Sequence, residues 1–199
     1  MIKELVLATR NLDKGRELEA LLKDLDIRIR TLAEFPAAPE VVEDGETCEA
    51  NAVKKAMAIA QYTKLPAVAD DTGLMVQALG GRPGIHAARY AGEGATYESN
   101  CTKLLQELAG VPRERRGARF VTVAAIADPK GKVEVVQGIL DGLITDRPAG
   151  TKGFGYDPVF FVPELGKTLA QLTPGEKNRI SHRALAFAKI KELLARASW

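Results

Sequence analysis

The sequence predicts an α/β fold with a mixed β-sheet. In the first half, short apolar segments alternate with segments that carry leucine or alanine at helical spacing, a pattern typical of strands joined by helices. In the middle, two apolar segments flank a turn with proline and glycine, which predicts a β-hairpin. Of the 199 residues, 46% are hydrophobic. That is enough for one large domain, or two closely joined lobes, around a substantial core.

The first half of the chain is predicted to supply two strands and two helices. Residues 5–8 form a short buried strand, and the helix after it has leucine at positions 18, 21, 22 and 25. A loop rich in proline and acid, residues 35–45, leads to a second helix with Thr47 as its N-cap. The inward stripe of this second helix is predicted to be Ala50, Val53, Met57 and Ala60. Pro66 ends the helix, and residues 67–69 form the next strand.

The second half is predicted to add a helix, a hairpin and two final helices. The third helix runs from about Thr96 to Leu108 and ends before Gly110. Residues 120–126 and 133–136 flank the hairpin turn. Thr173 and Glu176 form a capping box, and a final helix restarts at Ser181. Its inward residues are predicted to be Ile190, Leu193, Leu194 and Ala197. We find no repeat or clear linker, so we take residues 1–199 as a single domain.

Charge and cysteine content narrow the class of protein. The formal net charge of +2, from 28 basic and 26 acidic residues, gives no overall field that would hold nucleic acid. Cys48 and Cys101 are too few for a disulfide framework, and we expect two free thiols, as in a reducing compartment. No segment approaches the roughly 20 apolar residues of a membrane span. We therefore expect a cytoplasmic protein that binds neither nucleic acid nor membrane.

The most informative motif is the adjacent pair Asp70 and Asp71, which follows the strand at 67–69. Two neighbouring carboxylates repel each other, and a fold keeps them together where a cation, a proton or a basic partner relieves the repulsion. Mg²⁺ suits this position, because it binds one or two carboxylates together with substrate phosphates. An ordinary acidic turn also fits the Asp-Asp-x-Gly pattern. The motif alone leaves both interpretations open.

Two loops near this motif carry polar residues that a core does not need. Residues 8–14 join the first strand to the first helix, where backbone N–H groups and Lys14 are suited to hold phosphate. The P-loop pattern is missing, and Asn11 or Asp13 would equally serve as a helix cap. The other loop carries an acidic group that would complete a metal site or form a solvated helix start: Glu43, Asp44 and Glu46.

Two later segments combine aromatic, acidic and basic residues. Residues 153–158 contain Phe154, Tyr156 and Asp157, and residues 176–183 contain Lys177, His182 and Arg183. Such a set can stack on a purine base and bind its edge, although each residue alone also has a structural explanation. Together with the Asp pair, the segments predict a nucleotide site with a triphosphate and Mg²⁺ at one end and a base pocket at the other.

Five segments together resemble the signature of the inosine triphosphate pyrophosphatase (RdgB-like) family. They are residues 9–14, 69–73, 79–84, 154–158 and 181–183. They follow the family's order and cover nearly the whole chain, whereas any one of them would be a weak motif. The resemblance implies a homodimeric α/β protein with a long mixed β-sheet flanked by helices, and two lobes with a central cleft. It also implies Mg²⁺-dependent hydrolysis of ITP, dITP and XTP to the monophosphate and pyrophosphate.

The resemblance assigns roles by position. It makes Asp71 the general base and a metal ligand, with Asp70 beside it as a second ligand. Glu43 is the further ligand, and Glu46 is close enough to compete. This agrees with the chemistry, because a carboxylate must deprotonate the water that attacks the α-phosphorus while Mg²⁺ neutralises the phosphate charge. The residues implied to hold phosphates are Thr9, Asn11, Lys14, Lys54, Thr72 and Lys177. Those implied at the base are Phe154, which stacks on it, Gly155 and Tyr156 beside it, and Asp157, His182 and Arg183, which bind its edge.

The resemblance also bears on which purine base is accepted, and Asp13 differs from the family's usual residue. Hypoxanthine and xanthine carry an oxygen at C6 where adenine has an amino group, so a donor from His182 or Arg183 favours them by roughly 1 to 3 kcal/mol. Exclusion of GTP needs a second contact that the sequence does not identify. Asp13 stands where the family's phosphate loop often has glycine, which puts an acid near that loop unless it serves as a helix cap.

Two alternatives remain open at this point. A Maf-like nucleotide pyrophosphatase would share the broad fold and chemistry but prefer pyrimidine or modified nucleotides, and the segment 181–183 argues against it. A non-catalytic nucleotide-binding regulator would keep the pocket without turnover, and the retained Asp70 and Asp71 argue against that.

Overall fold

The structure, a computed structural model, describes residues 2–196, which form a mixed β-sheet flanked by α-helices. The eight strands within this range are β1 (Glu4–Leu7), β2 (Arg28–Thr31), β3 (Ala67–Val76), β4 (Pro83–Gly84), β5 (Gly117–Ala127), β6 (Val133–Ile144), β7 (Phe160–Val162) and β8 (Lys167–Thr168). The five α-helices are α1 (Leu12–Leu22), α2 (Cys48–Thr63), α3 (Tyr97–Glu107), α4 (Pro174–Ile180) and α5 (His182–Ala195). The predicted α/β class is confirmed.

The strand order confirms that the sheet is mixed. It runs β2-β1-β3-β5-β6-β7-β8, with β4 paired to β3. Strand β1 is parallel to both β2 and β3, with Val6 opposite Ala67. The pairs β3/β4, β6/β7 and β7/β8 are antiparallel. The predicted end of the third strand at residue 69 is wrong, because β3 continues through Asp70 and Asp71 to Val76. Strand β1 ends at Leu7, opposite Val68, so the loop after β1 is brought to the part of β3 that carries the Asp pair.

The chain divides into two compact units, each with its own core. Within the described range, unit 1 comprises the residues up to Asp71, Thr122–Gly138 and the residues from Arg183 onward, and unit 2 comprises Thr72–Val121 and Ile139–His182. The core of unit 1 includes Leu5, Leu7, Leu18, Leu22, Val68, Phe187 and Ile190. The core of unit 2 includes Leu74, Leu104, Phe120, Ile144, Phe160 and Leu169. That residues 1–199 act as one domain stays a prediction.

The predicted helix starts are confirmed, because the caps are local. The Asn11 side chain accepts hydrogen bonds from the N–H groups of Asp13 (3.0 Å) and Lys14 (3.1 Å), so Asn11 and not Asp13 caps α1. Thr47 caps α2 by accepting from the Ala50 N–H at 3.1 Å. Capping boxes begin α3 at Thr96 and α4 at Thr173.

The predicted inward stripe of α2 is wrong by about one residue. Ala50 is exposed, and Val53 and Met57 are only partly buried; Ala60 is fully buried as predicted. The buried face consists of Cys48, Asn51, Ala52, Lys55, Ala56, Ile59 and Ala60. Hydrophobic periodicity assigns Asn51 and Lys55 to solvent. Both are buried here because acidic groups and backbone polar groups bind them.

Other sequence expectations have mixed outcomes. Ile190, Leu193 and Leu194 are buried on α5 as predicted, whereas Ala197 lies outside the described residues. Helix α1 ends at Leu22, so position 25 lies beyond it. Cys48 and Cys101 are both free thiols, as expected. None of the helices in residues 2–196 combines the length and apolar character that a membrane crossing requires.

The close contact of β6 with β7 yields a stability prediction. A Cβ at Gly142 would lie 2.5 Å from the Phe161 carbonyl oxygen and 2.6 Å from the Phe160 ring. Because backbone and a buried ring cannot easily move, we expect Gly142→Ala to lower the free energy of unfolding by about 1 to 3 kcal/mol. Urea unfolding measures this, with Gly175→Ala as the control because nothing lies within 4 Å of its added Cβ. Equal midpoints for the two variants would contradict the contact.

Candidate active site

Asp70 and Asp71 lie within β3, just beyond Val68, the last β3 residue that pairs with β1, and both carboxylates are buried in unit 1. Asp70 is 1% exposed and Asp71 is 6% exposed. Strand β1 lies beside β3, and the loop that follows β1 leads into α1, whose first turn carries Lys14. The ammonium group of Lys14 lies 3.3 Å from Asp70 Oδ2. The predicted phosphate loop and the Asp pair therefore meet at this sheet edge.

Asp70 is bound by cations. Arg183 donates from Nε and Nη2 to Asp70 Oδ2 at 3.2 and 3.1 Å, and from Nη1 to Glu17 at 2.7 Å. Burial alone would raise the pKa of Asp70, but the charges of Lys14, Arg183 and Lys55 outweigh it and hold that pKa well below its usual range. Asp70 is therefore ionised at neutral pH, and its charge is compensated inside the protein.

Asp71 accepts a hydrogen bond from a neutral side chain and lies beside a thiol. Asn51 donates from Nδ2 to Asp71 Oδ2 at 3.1 Å. The Cys48 thiol also lies beside it: burial, followed by the charge and hydrogen bond of Asp71, raises the pKa of Cys48 to about 12. Burial raises the pKa of Asp71, because the charges of Lys55 and Lys14 offset only part of the desolvation. The two adjacent carboxylates thus have pKa values that are shifted in opposite directions, a pattern typical of an acid–base site.

One face of α2 connects this pair to the acidic loop before the helix. Lys55 donates from Nζ to Glu43 Oε1 at 2.5 Å and to the Asp70 carbonyl oxygen at 2.7 Å. Asn51 Oδ1 accepts a hydrogen bond from the Gly45 N–H at 2.8 Å. Of the two acids that compete for the ligand role, Glu43 is the one that contacts this cluster, whereas Glu46 is exposed.

The donor set fits a hard divalent cation that keeps several ligands from outside the protein. Glu43 and Asp71 offer the carboxylate oxygens that Mg²⁺ prefers, while Asp70 already binds two cationic side chains. Within residues 2–196, no three His, Cys, Asp or Glu side chains are arranged to enclose a metal. A cation held by Glu43 and Asp71 would take its remaining ligands from water and substrate phosphates, as Mg²⁺ commonly does.

The remaining predicted phosphate ligands have varied surroundings. Thr9 Oγ1 accepts from the Asn11 N–H at 3.2 Å, so both residues shape the start of α1. Thr72 is partly buried on β3. Lys54 lies on the exposed side of α2 and pairs with Asp44 at 2.6 Å. The loop's unexpected acid, Asp13, lies in the first turn of α1 with its carboxylate 3.5 Å from Arg16.

A second polar cluster lies in unit 2 around Phe154. Asp157 Oδ2 accepts from Lys177 Nζ at 2.5 Å and from the Phe154 N–H at 2.9 Å. Lys177 Nζ also lies 4.9 Å from the centre of the Phe154 ring. The ring centres of Tyr97 and Phe154 are 5.6 Å apart. The structure therefore brings together three of the residues predicted at the base and the phosphates, and adds Tyr97.

The neighbouring residues hold this loop in place. Gly155 accepts a hydrogen bond from the Cys101 thiol at 3.3 Å through its carbonyl oxygen. The buried Tyr156 hydroxyl donates to the Ala87 carbonyl oxygen at 2.8 Å. Gly153 has a φ of 71°, and a Cβ there would lie 2.0 Å from Asp157 Oδ2, so only glycine fits. These contacts fix the backbone on either side of Phe154.

Two of the three residues predicted to bind the base edge, His182 and Arg183, lie in different environments. His182 is buried and stacks on Phe120 with ring centres 4.4 Å apart. Arg183 directs all three guanidinium nitrogens toward Asp70 and Glu17. Its observed contacts are thus with carboxylates of unit 1, and its role at the base stays a prediction without support from those contacts.

Sequence reasoning missed four residues of these clusters: Glu17, Asn51, Lys55 and Tyr97. For two of them a signal existed. Asn51 and Lys55 are four residues apart, so they share a helix face with Ala52, Ala56 and Ile59. A polar pair on a face that is otherwise apolar indicates buried partners. Glu17 and Tyr97 left no such signal, because their partners are distant in the sequence.

Comparisons with known proteins give matches over nearly the whole chain. A model of the Ham1 family matches residues 5–193. The protein of Geobacillus kaustophilus named dITP/XTP pyrophosphatase is 52% identical over 191 residues, which is 96% of this chain and 94% of that one. The solved HAM1 protein of Coxiella burnetii has a TM-score of 0.88 at 40% identity and covers 99% of this chain and 100% of its own. The Ham1 protein of Staphylococcus aureus has a TM-score of 0.85 at 40% identity, covering 96% and 98%.

The unequal surroundings of the Asp pair predict opposite effects of the same substitution on stability. Asp70→Asn leaves Lys14 and Arg183 buried without their shared carboxylate, and we expect the free energy of unfolding at pH 7 to fall by about 3 to 5 kcal/mol. Asp71→Asn removes a charge that burial disfavours, so we expect stability to be unchanged or raised. Denaturant unfolding of both variants measures this.

The pH dependence has a defined sign. Because the pKa of Asp70 is lowered in the folded protein, its contribution is fully present above the ordinary value of 3.8 and is lost as pH falls below that value. The stability difference between the wild type and Asp70→Asn should therefore stay constant from pH 7 to about pH 4 and narrow below it. A difference that narrows already between pH 7 and pH 5 would contradict the assignment.

Proposed function

The chain belongs to the Ham1 family, and on that basis we propose that it hydrolyses non-standard purine nucleoside triphosphates, such as dITP, ITP and XTP, to the monophosphate and pyrophosphate. The observation that supports this most directly is the adjacent pair of buried carboxylates with oppositely shifted pKa values. Hydrolysis needs one carboxylate to accept a proton from water while neighbouring charges bind the phosphates. Asp71 and the cations around Asp70 meet these two requirements.

We assign the base role to Asp71. Water attacks the α-phosphorus and gives its proton to Asp71, and pyrophosphate leaves. The raised pKa of Asp71 supports this role, because a carboxylate with higher proton affinity is a better general base. The Asn51 amide donates a hydrogen bond from Nδ2 to Asp71 Oδ2 at 3.1 Å. This bond orients the Asp71 carboxylate, and the amide does not give up its proton in the reaction.

Lys14 is the best supported phosphate ligand. It stands in the first turn of α1, where backbone N–H groups also favour an anion. Burial, opposed by Asp70, lowers its pKa, and a bound phosphate would favour its charged form. Thr9, Asn11, Thr72 and Lys54 remain further proposed contacts to the triphosphate.

Asp71 and Glu43 would hold the divalent cation, which we propose to be Mg²⁺. When bound, it neutralises charge that develops on the phosphate oxygens. Glu43 would exchange part of its contact with Lys55 for the cation. Asp70 is also predicted as a ligand, but its pairing with Lys14 and Arg183 favours a different role, and we propose that it holds these two cations rather than the metal.

For the base end we propose that Phe154 stacks on the purine and that His182 donates to its C6 oxygen. Support for the first role comes from the backbone on both sides of Phe154, which Asp157, Gly155 and Tyr156 fix. His182 is the better candidate of the two predicted donors, since Arg183 binds Asp70 and Glu17. Lys177, which pairs with Asp157, adds positive charge beside the ring.

The setting of the reaction follows from the same proposal. We propose a homodimer that acts on free nucleotides in the cytoplasm, with neither nucleic acid nor membrane as a partner. The net charge of +2 supports the exclusion of nucleic acid, because it provides no overall attraction to a polyanion. Two free thiols are consistent with a reducing compartment.

An isotope experiment tests the reaction. Hydrolysis of dITP with Mg²⁺ in ¹⁸O-labelled water is expected to place the label in the monophosphate and none in pyrophosphate, because water attacks the α-phosphorus. Asp71→Asn is expected to release no measurable product while it unfolds like the wild type, since only charge and basicity are lost. Mass spectrometry locates the label.

Other products would overturn the proposal in distinguishable ways. Label in pyrophosphate or in single phosphate would refute attack at the α-phosphorus. Faster turnover of dTTP than of dITP would favour a Maf-like enzyme, and no turnover of any triphosphate would favour a regulator. Near-normal rates in Asp71→Asn would remove Asp71 from the base role.

The base assignment yields a specificity prediction. We expect His182→Ala to lower kcat/KM for ITP by about tenfold to a hundredfold, because the donor to the C6 oxygen is lost, with a much smaller change for ATP. Phe120→Leu keeps the apolar contact under the imidazole and serves as the control for packing. An equal loss for ITP and ATP in His182→Ala would show a structural role only.

A further inference from the structure

Asn51 uses both ends of its side-chain amide inside unit 1. It is 3% exposed and lies in the first turn of α2. Its Nδ2 donates to Asp71 Oδ2 at 3.1 Å, and its Oδ1 accepts from the Gly45 N–H at 2.8 Å. Among the side chains described, this amide thus joins the Asp71 carboxylate on β3 to the backbone of the acidic loop.

The fit around Gly45 shows that this contact is built into the loop. A Cβ at Gly45 would lie 2.7 Å from Asn51 Oδ1 and 2.9 Å from the Ala50 Cβ. A buried side chain that is bound at its other end cannot move away cheaply. Glycine at position 45 is therefore required for the Asn51 amide to reach Asp71 and the loop together.

The same helix face binds the rest of the loop one turn later. Lys55, four residues after Asn51, binds Glu43 and the Asp70 carbonyl oxygen. The two α2 side chains thus hold Glu43 and Gly45 on one side and β3 on the other. A change in the orientation of the Asn51 amide would therefore alter its hydrogen bonds to both Asp71 and the Gly45 N–H.

We propose that Asn51, seated by Gly45, is a positioning residue that sets the orientation of Asp71 and fixes the acidic loop relative to it. The catalytic part rests on the proposed function of Asp71. Asn51 itself does not contact the reacting atoms. Its two ends have separable tasks: the donor orients Asp71, and the acceptor holds the loop.

Asn51→Asp separates these tasks. An aspartate keeps an acceptor for the Gly45 N–H but replaces the donor that faces Asp71 with an oxygen. We expect kcat for dITP to fall about tenfold to a hundredfold with KM within about threefold, because misorientation of a reacting group has effects of this size. We expect hydrogen exchange of the Gly45 amide, followed by NMR, to stay within about twofold of the wild type.

Two further variants complete the test. Asn51→Ala loses both contacts, so kcat falls and the Gly45 amide exchanges at least about tenfold faster. Gly45→Ala keeps the amide group of Asn51 but displaces it, and we expect the same fall in kcat as in Asn51→Asp. Gly175→Ala, which adds a methyl group to open space on α4, is the matched control and should change neither kcat nor exchange.

Each outcome decides the matter. Wild-type kcat in Asn51→Asp or in Gly45→Ala would show that Asn51 only holds the loop, and unchanged Gly45 exchange in Asn51→Ala would show that it does not hold it. If Asn51→Asp fails to fold, Gly45→Ala carries the kinetic test alone. A wild-type protein without turnover would overturn the proposed function, and the positioning role with it, whereas the exchange result would stand independently.

Discussion

The constraint on which the site depends is the burial of two adjacent carboxylates, Asp70 and Asp71, within β3. Their mutual repulsion in a medium of low polarity must be offset, and the protein does this unequally. Asp70 binds two cations, Lys14 from α1 and Arg183 from α5, whereas Asp71 binds the neutral Asn51 and lies beside a protonated thiol. Compensation of both carboxylates by cations would lower the pKa of each and make each a poor base. Unequal compensation leaves one as a fixed anion and the other able to accept a proton.

This division explains why three helices of unit 1 converge on so small a region. Helix α1 supplies Lys14 and Glu17, α5 supplies Arg183, and α2 supplies Asn51 and Lys55. Lys14 and Arg183 share the single carboxylate of Asp70. Glu17 supplies a second carboxylate for Arg183, so that its buried charge is fully paired. Such clusters are costly to desolvate and strongly destabilising to break, which favours one geometry over alternatives. These charged side chains occupy positions that apolar residues could fill, and in return they fix the geometry of the two carboxylates.

Local chemistry decided what the sequence could predict. Thr47 and Thr173 were identified as helix starts because a cap and its partner are three residues apart. The buried face of α2 was misassigned because Asn51 and Lys55 are polar by composition and buried only through partners 6 to 20 residues away. Short edge strands such as β2 and β8 carry no strong periodicity and were not predicted. Arg183 was assigned by resemblance to a base pocket, and no local pattern could reveal that Asp70, 113 residues earlier, binds it.

Both polar clusters contain a buried side chain that binds a loop N–H group at one atom and also binds a side chain of the proposed site. In unit 1 the Gly45 N–H binds Asn51, whose other end binds Asp71; in unit 2 the Phe154 N–H binds Asp157, which also binds Lys177. Each loop contains a glycine whose missing Cβ leaves room for the buried acceptor. A Cβ at Gly45 would lie 2.7 Å from Asn51 Oδ1, and a Cβ at Gly153 would lie 2.0 Å from Asp157 Oδ2. A loop held in this way has little freedom to move independently of the side chain it positions. Glycine therefore acts here by making room for a buried polar group, and at Gly153 it also supplies a positive φ that other residues rarely adopt.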